Sequence, residues 1–309
     1  MPPSARSTSY DCLIVGGGPA GLTAAIYLAR FHLTVALVDA GESRARLIPL
    51  TRNHAGFPNG ISGLDLLARM HEQAELYGTE HYEGRVDSLE RTRAGFAATV
   101  GKKVFIARAV LLATGVRNRP PPMIDDALHA EALAAGRLRY CPICDGYEVT
   151  DQRLAVLGTG ERGRKEALFL RSYTRSVSLV APPGGHDLTV DDQAALREAG
   201  IAVLGQCDAV TLADDAIRLA IAGAHHDFDS LYPALGSEIG SALAADVGAE
   251  VSEEGCLLVD AHQRTNVRGL YAAGDVVLGL DQISHAMGEG GVAATTIRND
   301  LAEITPLHR

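Results

Sequence analysis

The feature that most constrains the fold of this 309-residue chain is a glycine motif that occurs twice. Residues 154–181 can be laid on residues 12–39 without a gap, at an offset of 142, and three glycines then coincide with three glycines. In the first copy an apolar run leads into the glycines, and an Ala/Leu-rich run follows them. Strand, glycine turn and helix in this order form a dinucleotide-binding unit, in which the backbone approaches a pyrophosphate at the helix N-terminus. The repeat therefore predicts an α/β chain with two Rossmann-like domains.

The two copies differ where a ligand would be held. Residues 16–21 read GGGPAG, and the next predicted strand ends in Asp39, close to the offset at which an acidic side chain meets the adenosine ribose hydroxyls. In the second copy Ala181 replaces Asp39, and Glu161-Arg162 replace Pro19-Ala20. The sequence therefore predicts an intact dinucleotide site in the first unit and an impaired one in the second.

Residues 141–146 read CPICDG, a pair of cysteines separated by two residues and followed by a carboxylate. Such a pair can close a disulfide whose exchange chemistry depends on the pKa of each thiol, and Asp145 could move the proton that this chemistry requires. The alternatives are half a zinc site or two unrelated thiols. Because zinc needs further ligands and no second Cys pair or spaced Cys/His set follows, we expect a redox-active pair and no metal.

Composition excludes several classes of partner. The net charge of -10, without clustered Lys and Arg, argues against binding to nucleic acid or to an anionic membrane. No apolar run approaches the roughly 18 residues of a membrane span, and residues 1–10 lack the apolar core of a signal peptide. We therefore expect a cytoplasmic protein, in which a CxxC pair is more often catalytic than structural.

The remaining pattern supports a two-domain chain. We predict a helix at 64–77 and strands at 83–89, 96–100 and 103–106, with a further apolar strand running into the ATG turn at 113–115. Near the end, YAAGD at 271–275 predicts a strand and turn, and a helix rich in small residues begins at Gln282. The charged segment 43–46 fits a solvated loop and a binding role equally well.

GGGPAG, ATG, CPICDG, the second glycine motif at 158–163 and YAAGD together resemble the low-molecular-weight thioredoxin reductases, over nearly the whole chain. The resemblance implies domains of the three-layer ββα type. An FAD-binding domain at 1–116 and 238–309 would be interrupted by a pyridine-nucleotide-type domain at 117–237 that carries the CxxC. It also implies a homodimer.

The resemblance further implies residue roles. Cys144 would form the flavin charge-transfer thiolate, Cys141 would attack the partner's disulfide, and Asp145 would be the acid/base group. The residues implied for FAD are Gly16, Gly18, Pro19, Ala20, Gly21, Asp39, Thr114, Gly115, Gly274, Asp275, Gln282 and Ile283. The candidate nucleotide contacts in the second copy are Gly158, Gly160 and Gly163.

This chain departs from the family pattern at several positions, among them the residues that bind the 2′-phosphate of NADP in the resembling family. The family's His-Arg-Arg reads Ala181-Pro182-Pro183 here, its Gly-Gly-Gln after the first unit is absent, and the Arg before the last-helix Gln is Asp281. These losses predict weak use of NADPH. Some relatives of the family lack these nucleotide-binding residues. They act as dithiol oxidases that pass electrons to oxygen, or they receive electrons from ferredoxin. In its losses this chain is similar to those relatives.

The leading hypothesis is an FAD-dependent disulfide/dithiol oxidoreductase that exchanges electrons with a thioredoxin-like protein or a small dithiol. The first alternative is an ordinary NADPH-dependent thioredoxin reductase in which Arg162, Arg164 or Arg175 replaces the missing phosphate ligands. A second is a flavoprotein redox sensor without turnover, which would not need Asp145. A ferredoxin–NADP reductase of similar fold would not need the CxxC.

Overall fold

Two sheets, each built around one of the two glycine motifs, organise the structure, a computed structural model that describes residues 9–307. The expectation of no signal-peptide core at the N-terminus lies largely outside these residues. The outermost ends of the expected FAD-binding domain, 1–8 and 308–309, also lie outside them.

The described chain contains helices between some strands and two long runs of consecutive strands. The strands are β1 (Ser9–Val15), β2 (Val35–Asp39), β3 (Glu80–Glu83), β4 (Ser88–Thr92), β5 (Gly95–Val100), β6 (Lys103–Leu112), β7 (Val116–Asn118), β8 (Leu154–Leu157), β9 (Val177–Ala181), β10 (Ala202–Ala213), β11 (Ala216–Ile221), β12 (Ala224–Phe228), β13 (Ser230–Pro233), β14 (Ser237–Ile239) and β15 (Leu270–Ala272). The α-helices are α1 (Pro19–Arg30), α2 (Gly63–Leu76), α3 (Asp126–Ala134), α4 (Pro142–Asp145), α5 (Gly160–Leu170), α6 (Val190–Glu198), α7 (Ala242–Ala245) and α8 (Ile283–Ile304). Short 3-10 turns span Arg44–Leu47 and Gly146–Val149.

The first sheet has the strand order β3-β2-β1-β6-β5-β4, and β15 also pairs with β6. Strands β3, β2, β1, β6 and β15 are parallel, whereas β4, β5 and the first half of β6 form an antiparallel meander. The central strand β1 is almost wholly buried, as its continuous apolar run requires. Helices α1 and α8 pack closely, because a Cβ on Gly290 would lie 2.3 Å from the carbonyl oxygen of Ala20.

The second sheet repeats this plan with the order β12-β11-β10-β9-β8-β13. Strands β13, β8, β9 and β10 are parallel, and β10, β11 and β12 are antiparallel. Its strand residues contribute to two apolar clusters, which contain Leu231 and Tyr232 respectively, next to each other in β13. The prediction of an α/β chain with two Rossmann-like units, the second inserted into the first, is confirmed.

The chain divides into two compact units. The first contains the described residues up to Leu47, then Ile61–Arg117 and those from Ile239 onward, and the second contains Ile48–Gly60 and Asn118–Glu238. Residues 48–60, placed in the FAD-binding domain by the resemblance, group with the second unit. Within that unit Arg52 pairs with Glu148 at 3.4 Å, and the Asn53 amide donates to the carbonyl of Ile143 at 3.4 Å.

Two strand predictions were wrong in detail. Residues 83–89 do not form one strand, because β3 ends at Glu83 and Gly84, at φ +149°, turns the chain before β4 begins. Residues 103–106 and 110–112 belong to a single strand, β6, whose two halves pair with different neighbours. Between residues 9 and 307, no helix has the length and apolarity that a membrane crossing requires.

Candidate active site

The first glycine loop connects β1 to α1 in a conformation that requires glycine. Gly16 has φ +110°, and a Cβ there would lie 2.3 Å from the carbonyl oxygen of Ala113. A Cβ on Gly21 would lie 2.0 Å from the carbonyl oxygen of Gly16, so helix α1 begins directly against the strand end. Gly18 is the N-cap of α1 and offers no side-chain cap. The loop is thus shaped to present backbone N–H groups to an anion.

Three further predicted segments of the first unit meet this loop. Thr114 follows Ala113 directly, and its hydroxyl donates to the carbonyl of Gly240 at 2.6 Å. Gly274 lies beside the start of α1, since its Cβ would be 2.9 Å from the Cβ of Ala20. The Asp39 carboxylate faces the loop, because a Cβ on Gly17 would lie 2.5 Å from its Oδ2. The structure therefore brings together residues that are far apart in sequence.

Asp39 also lies near two histidines. One ligand atom each of Asp39, His71 and His81 falls within 4.8 Å of the others. Burial and the neighbouring His81 lower the pKa of His71, which favours neutral imidazole at neutral pH. Imidazole and carboxylate groups can bind metal ions, and Asp39 is also the residue implied for the ribose. The expectation of no metal therefore stays a prediction.

Arg44 is a residue of this region whose role the sequence left undecided. Its guanidinium pairs with Asp281 at 2.9 Å and with Asp275 at 3.3 Å. Burial and the nearby Asp281 charge raise the pKa of Asp275 to about 6, against the opposing effect of Arg44. The segment 43–46 is therefore not simply a solvated loop. Asp281, which stands where the resembling family has arginine, is paired here with an arginine from another segment.

Gln282 and Ile283 mark the start of α8. Gln282 is the N-cap residue, with extended backbone, and its side-chain amide donates to the carbonyl of Asp281 at 2.8 Å. Ile283 is the first residue of the helix. Through Asp281 and Arg44, this helix start is linked to the turn that carries Asp275.

In the second unit, Cys141 and Cys144 form a disulfide around the short helix α4. Cys141 is the N-cap residue, and its Sγ accepts the backbone N–H of Cys144 at 3.2 Å. A hydrogen bond to sulfur favours the thiolate over the thiol. Ile143, between the cysteines, and Tyr147, after them, are exposed, so apolar surface flanks the disulfide.

Asp145 is held from two sides. One carboxylate oxygen accepts the hydroxyl of Tyr232 at 2.8 Å, and the other accepts the guanidinium of Arg139 at 2.9 Å. Burial raises the pKa of Asp145, although Arg139 and Tyr232 act in the opposite direction. The carboxyl next to Cys144 is therefore easier to protonate than an exposed one. Sequence reasoning missed Arg139 and Tyr232, because neither belongs to a motif.

The second glycine loop is closely packed like the first, but its backbone conformation differs, since Gly18, the counterpart of Gly160, has φ -81°. A Cβ on Gly163 would lie 2.8 Å from the carbonyl carbon of Gly158, and Gly160 has φ +57°. In front of the helix, however, lies the chain's own backbone: the Asp187 N–H donates to the Thr159 hydroxyl at 2.5 Å. Backbone of the same chain thus contacts the N-cap residue of α5.

A disulfide beside a partly buried carboxyl, carried by a chain with two dinucleotide-type units, defines a disulfide oxidoreductase of the dinucleotide-binding class. Residues 10–290 match the family described as Pyridine nucleotide-disulphide oxidoreductase. The chain belongs to this family.

Individual proteins of known sequence or structure are similar to this chain over nearly its whole length. The thioredoxin reductase of Listeria innocua is 28% identical over 307 residues, covering 96% of this chain and 95% of that protein. The crystal structure of HlmI, also 28% identical, superposes with a TM-score of 0.87 over 96% of this chain and 93% of that one. The thioredoxin reductase of Streptococcus pyogenes is 25% identical, with a TM-score of 0.86 over 96% and 99%. This protein is therefore an enzyme of thioredoxin-reductase type that acts on a sulfur group.

Proposed function

We propose that this protein is an FAD-dependent dithiol–disulfide oxidoreductase in which Cys141 and Cys144 exchange electrons with a thiol or disulfide partner. The observation that carries the proposal is the Cys141–Cys144 disulfide directly followed by Asp145, a partly buried carboxylate held by Tyr232 and Arg139. In the proposed division of labour, 1–116 with 238–309 form the FAD-binding domain, and 117–237 carry the disulfide.

The residues of the first unit fit FAD. The loop at Gly16–Gly21 leaves no room for side chains on its inner side, and Pro19 and Ala20 open a helix with no side-chain cap, as a pyrophosphate site requires. Asp39 would hold the adenosine ribose, and Asp275 the ribityl or pyrophosphate region. Thr114, Gly115, Gly274, Gln282 and Ile283 would complete the site. When bound, FAD would supply the electron-accepting and electron-donating group of the reaction.

The two cysteines have different proposed roles. Cys141 is the nucleophile toward the partner, since the N–H of Cys144 would stabilise its thiolate. Cys144, next to Asp145, is the sulfur that faces the flavin in the resembling family. Asp145 holds and releases the proton that accompanies exchange, because its carboxyl is partly buried and fixed by Arg139 and Tyr232.

Asp145→Asn is expected to slow dithiol–disulfide turnover by about 10²–10⁴-fold, the usual effect of losing an acid/base group. The amide keeps the shape of the side chain but neither carries a negative charge nor releases a proton at neutral pH. Turnover is measured with dithiothreitol and an added disulfide, with flavin content as the check on integrity. Asp151→Asn, at an exposed site in the same unit, is the matched control. Full turnover in Asp145→Asn would rule out the acid/base role.

NADPH is proposed to be a poor reductant. Ala181 is buried and has no polar side chain, and Asp187 backbone lies on the N-cap residue of α5. Of the arginines that could replace the missing phosphate ligands, Arg164 pairs with Asp192 at 2.6 Å. The guanidinium of Arg162 lies against Gly236, where a Cβ would be 2.9 Å from it. These contacts favour an impaired nucleotide site at Gly158, Gly160 and Gly163.

The expected result is that NADPH does not bleach the flavin in an anaerobic titration, whereas dithiothreitol does. Charge-assisted contacts contribute about 1.5–3 kcal/mol each, so losing two weakens binding by roughly two to four decades. Flavin absorbance is the measurement. Stoichiometric bleaching by NADPH within seconds would instead establish the ordinary NADPH-dependent reductase. If dithiothreitol alone bleaches, re-oxidation by air or by ferredoxin distinguishes the two remaining electron routes.

The proposed partner is a thioredoxin-like protein or a small dithiol, in keeping with the exposed Ile143 and Tyr147 beside the disulfide. The proposed location is the cytoplasm, and the proposed assembly is a homodimer. A redox sensor without turnover is the competing function, and catalytic reduction or oxidation of many equivalents of dithiol excludes it.

A further inference from the structure

A partly buried polar cluster in the second unit surrounds the carboxyl that follows Cys144. Arg139, which donates to Asp145, also donates through Nε to the carbonyl of Gly136 at 3.0 Å and to the hydroxyl of Ser230 at 3.2 Å. Tyr232, the other donor to Asp145, is completely buried. Both partners of Asp145 are thus fixed, and the carboxylate has little freedom to turn toward solvent.

Glu166, on helix α5, is a second carboxylate coupled to this cluster. Its Oε1 atom is shielded from solvent and has no hydrogen-bond partner among residues 9–307. A buried carboxylate oxygen without a donor disfavours the charged form. Burial accordingly raises the pKa of Glu166 to about 7, the Asp145 charge adds to the effect, and Arg162 opposes it. Its shielded, unpartnered oxygen therefore favours a proton on Glu166.

The other charged groups on α5 have partners elsewhere. Arg164 pairs with Asp192 of α6 at 2.6 Å, and Lys165 pairs with Glu161 at 2.7 Å. These contacts leave Arg162 as the cation that acts on Glu166 from its own helix.

From the elements packed against α5, Glu166 interacts with Asp145 of α4 and with Tyr232 of β13. Asp145 is in turn influenced by Arg139 and by the carboxylate of Glu148. Asp145 is paired with Arg139 and Glu148 with Arg52, whereas Glu166 forms no ion pair among residues 9–307, so a proton on Glu166 removes a charge that has no direct partner.

We propose that Glu166 is a positioning residue for proton transfer at the disulfide: together with Asp145 it stores the proton that the Cys144 sulfur takes up when the Cys141–Cys144 bond opens. This inference rests on the proposed dithiol–disulfide exchange. Glu166 acts through Asp145 rather than by touching the substrate.

A substrate thiolate attacks Cys141 Sγ, the Cys141–Cys144 bond breaks, and its electron pair goes to Cys144 Sγ, which takes the stored proton. The second substrate thiol gives its proton to the emptied carboxylate and displaces Cys141 as a thiolate. The substrate is oxidised from dithiol to disulfide, and the protein disulfide is reduced. The same steps run backwards when the protein reduces a disulfide.

The test follows reduction of the disulfide by dithiothreitol in the whole protein. Rates come from alkylation of the freed thiols and mass measurement, which do not depend on the flavin, and are corrected for the thiolate fraction of dithiothreitol. In the wild type the corrected rate is expected to fall about tenfold between about pH 6 and pH 8, as the stored proton is lost through a group with pKa near 7. Glu166→Gln is expected to show a flat profile, because glutamine has no proton to lose.

Glu161→Gln is the matched control, since Glu161 lies on the same helix but is exposed and paired with Lys165. It is expected to keep the wild-type profile. A wild-type fall with pH in Glu166→Gln would overturn the inference. Should that variant not fold, Glu166→Asp retains a carboxyl group and is expected to retain the fall with a displaced midpoint, and a flat profile there would also overturn it.

The outcome separates this inference from the proposed function. A wild-type disulfide that dithiothreitol cannot reduce at any pH would remove dithiol–disulfide exchange itself. A disulfide that is reduced, with the same pH profile in the wild type and in Glu166→Gln, would remove only the role of Glu166.

Discussion

Replacing Cys141 or Cys144 with serine is expected to reduce dithiol–disulfide exchange to the uncatalysed rate. A single remaining thiol cannot close the intramolecular disulfide that the structure shows, so the protein can neither store nor deliver an electron pair through this site. The measurement is turnover of dithiothreitol with an added disulfide. Cys207→Ser is the control, because that thiol is buried in the second unit and burial raises its pKa to about 11. Its removal is expected to leave turnover intact.

The two variants are also expected to differ in spectrum. Cys141→Ser leaves Cys144, and a long-wavelength flavin absorption band is expected, whereas Cys144→Ser should show none. The expected asymmetry agrees with the contacts, because Cys141 Sγ accepts the N–H of Cys144 and is placed for a nucleophile. Identical spectra, or full exchange activity in both variants, would contradict the assignment of the pair.

Gly18→Val is expected to give a folded protein without FAD. The backbone of Gly18 is extended, with φ -81° and ψ -177°, so valine can adopt it. A Cβ there would meet only the Ser43 hydroxyl within 4 Å, at 3.3 Å, so the side chain projects into the space before α1 rather than into the protein. That space is where the proposed pyrophosphate approaches the backbone. Flavin absorbance after reconstitution with FAD, together with circular dichroism, measures the two effects separately.

The neighbouring glycines would not give so clean an experiment. At Gly16 or Gly21 a Cβ would lie 2.3 Å or less from a backbone oxygen, so substitution there would disturb the fold. Gly205→Ala in β10, where a Cβ would meet only Ile221 at 3.5 Å, is the control for a tolerated glycine substitution. Normal FAD binding by Gly18→Val would show that the first loop does not hold the pyrophosphate.

Motifs with fixed spacing were readable from the sequence because their chemistry depends on neighbours along the chain. The close approach of Gly21 to Gly16, and the pairing of Cys141 with Cys144, require contacts within six residues. The prediction of one strand at 83–89 was wrong because the pairing of these residues depends on distant segments. The local sequence did not reveal that Gly84 turns the chain between two strands with different partners.

Partners brought from distant segments were not readable. Tyr232 lies 87 residues from Asp145, and Arg44 lies 231 residues from Asp275. Neither residue belongs to a motif, since a single tyrosine or arginine has no spacing to recognise. The sequence showed that Asp281 stands in place of an arginine, but the arginine that pairs with it came from the segment whose role had been left open.

The sequence by itself determined the fold class, the repeated dinucleotide-type unit and the cysteine pair with its carboxylate, since each is written in short-range patterns of glycine, apolar residues and cysteine. Only the tertiary structure decided the electrostatics of the site. Packing of β13 and α5 against the CxxC segment placed Tyr232 and Glu166 near Asp145, and removal of these groups from water shifted their proton affinities. Burial and long-range pairing arise when the chain closes on itself, and no local pattern of residues contains them.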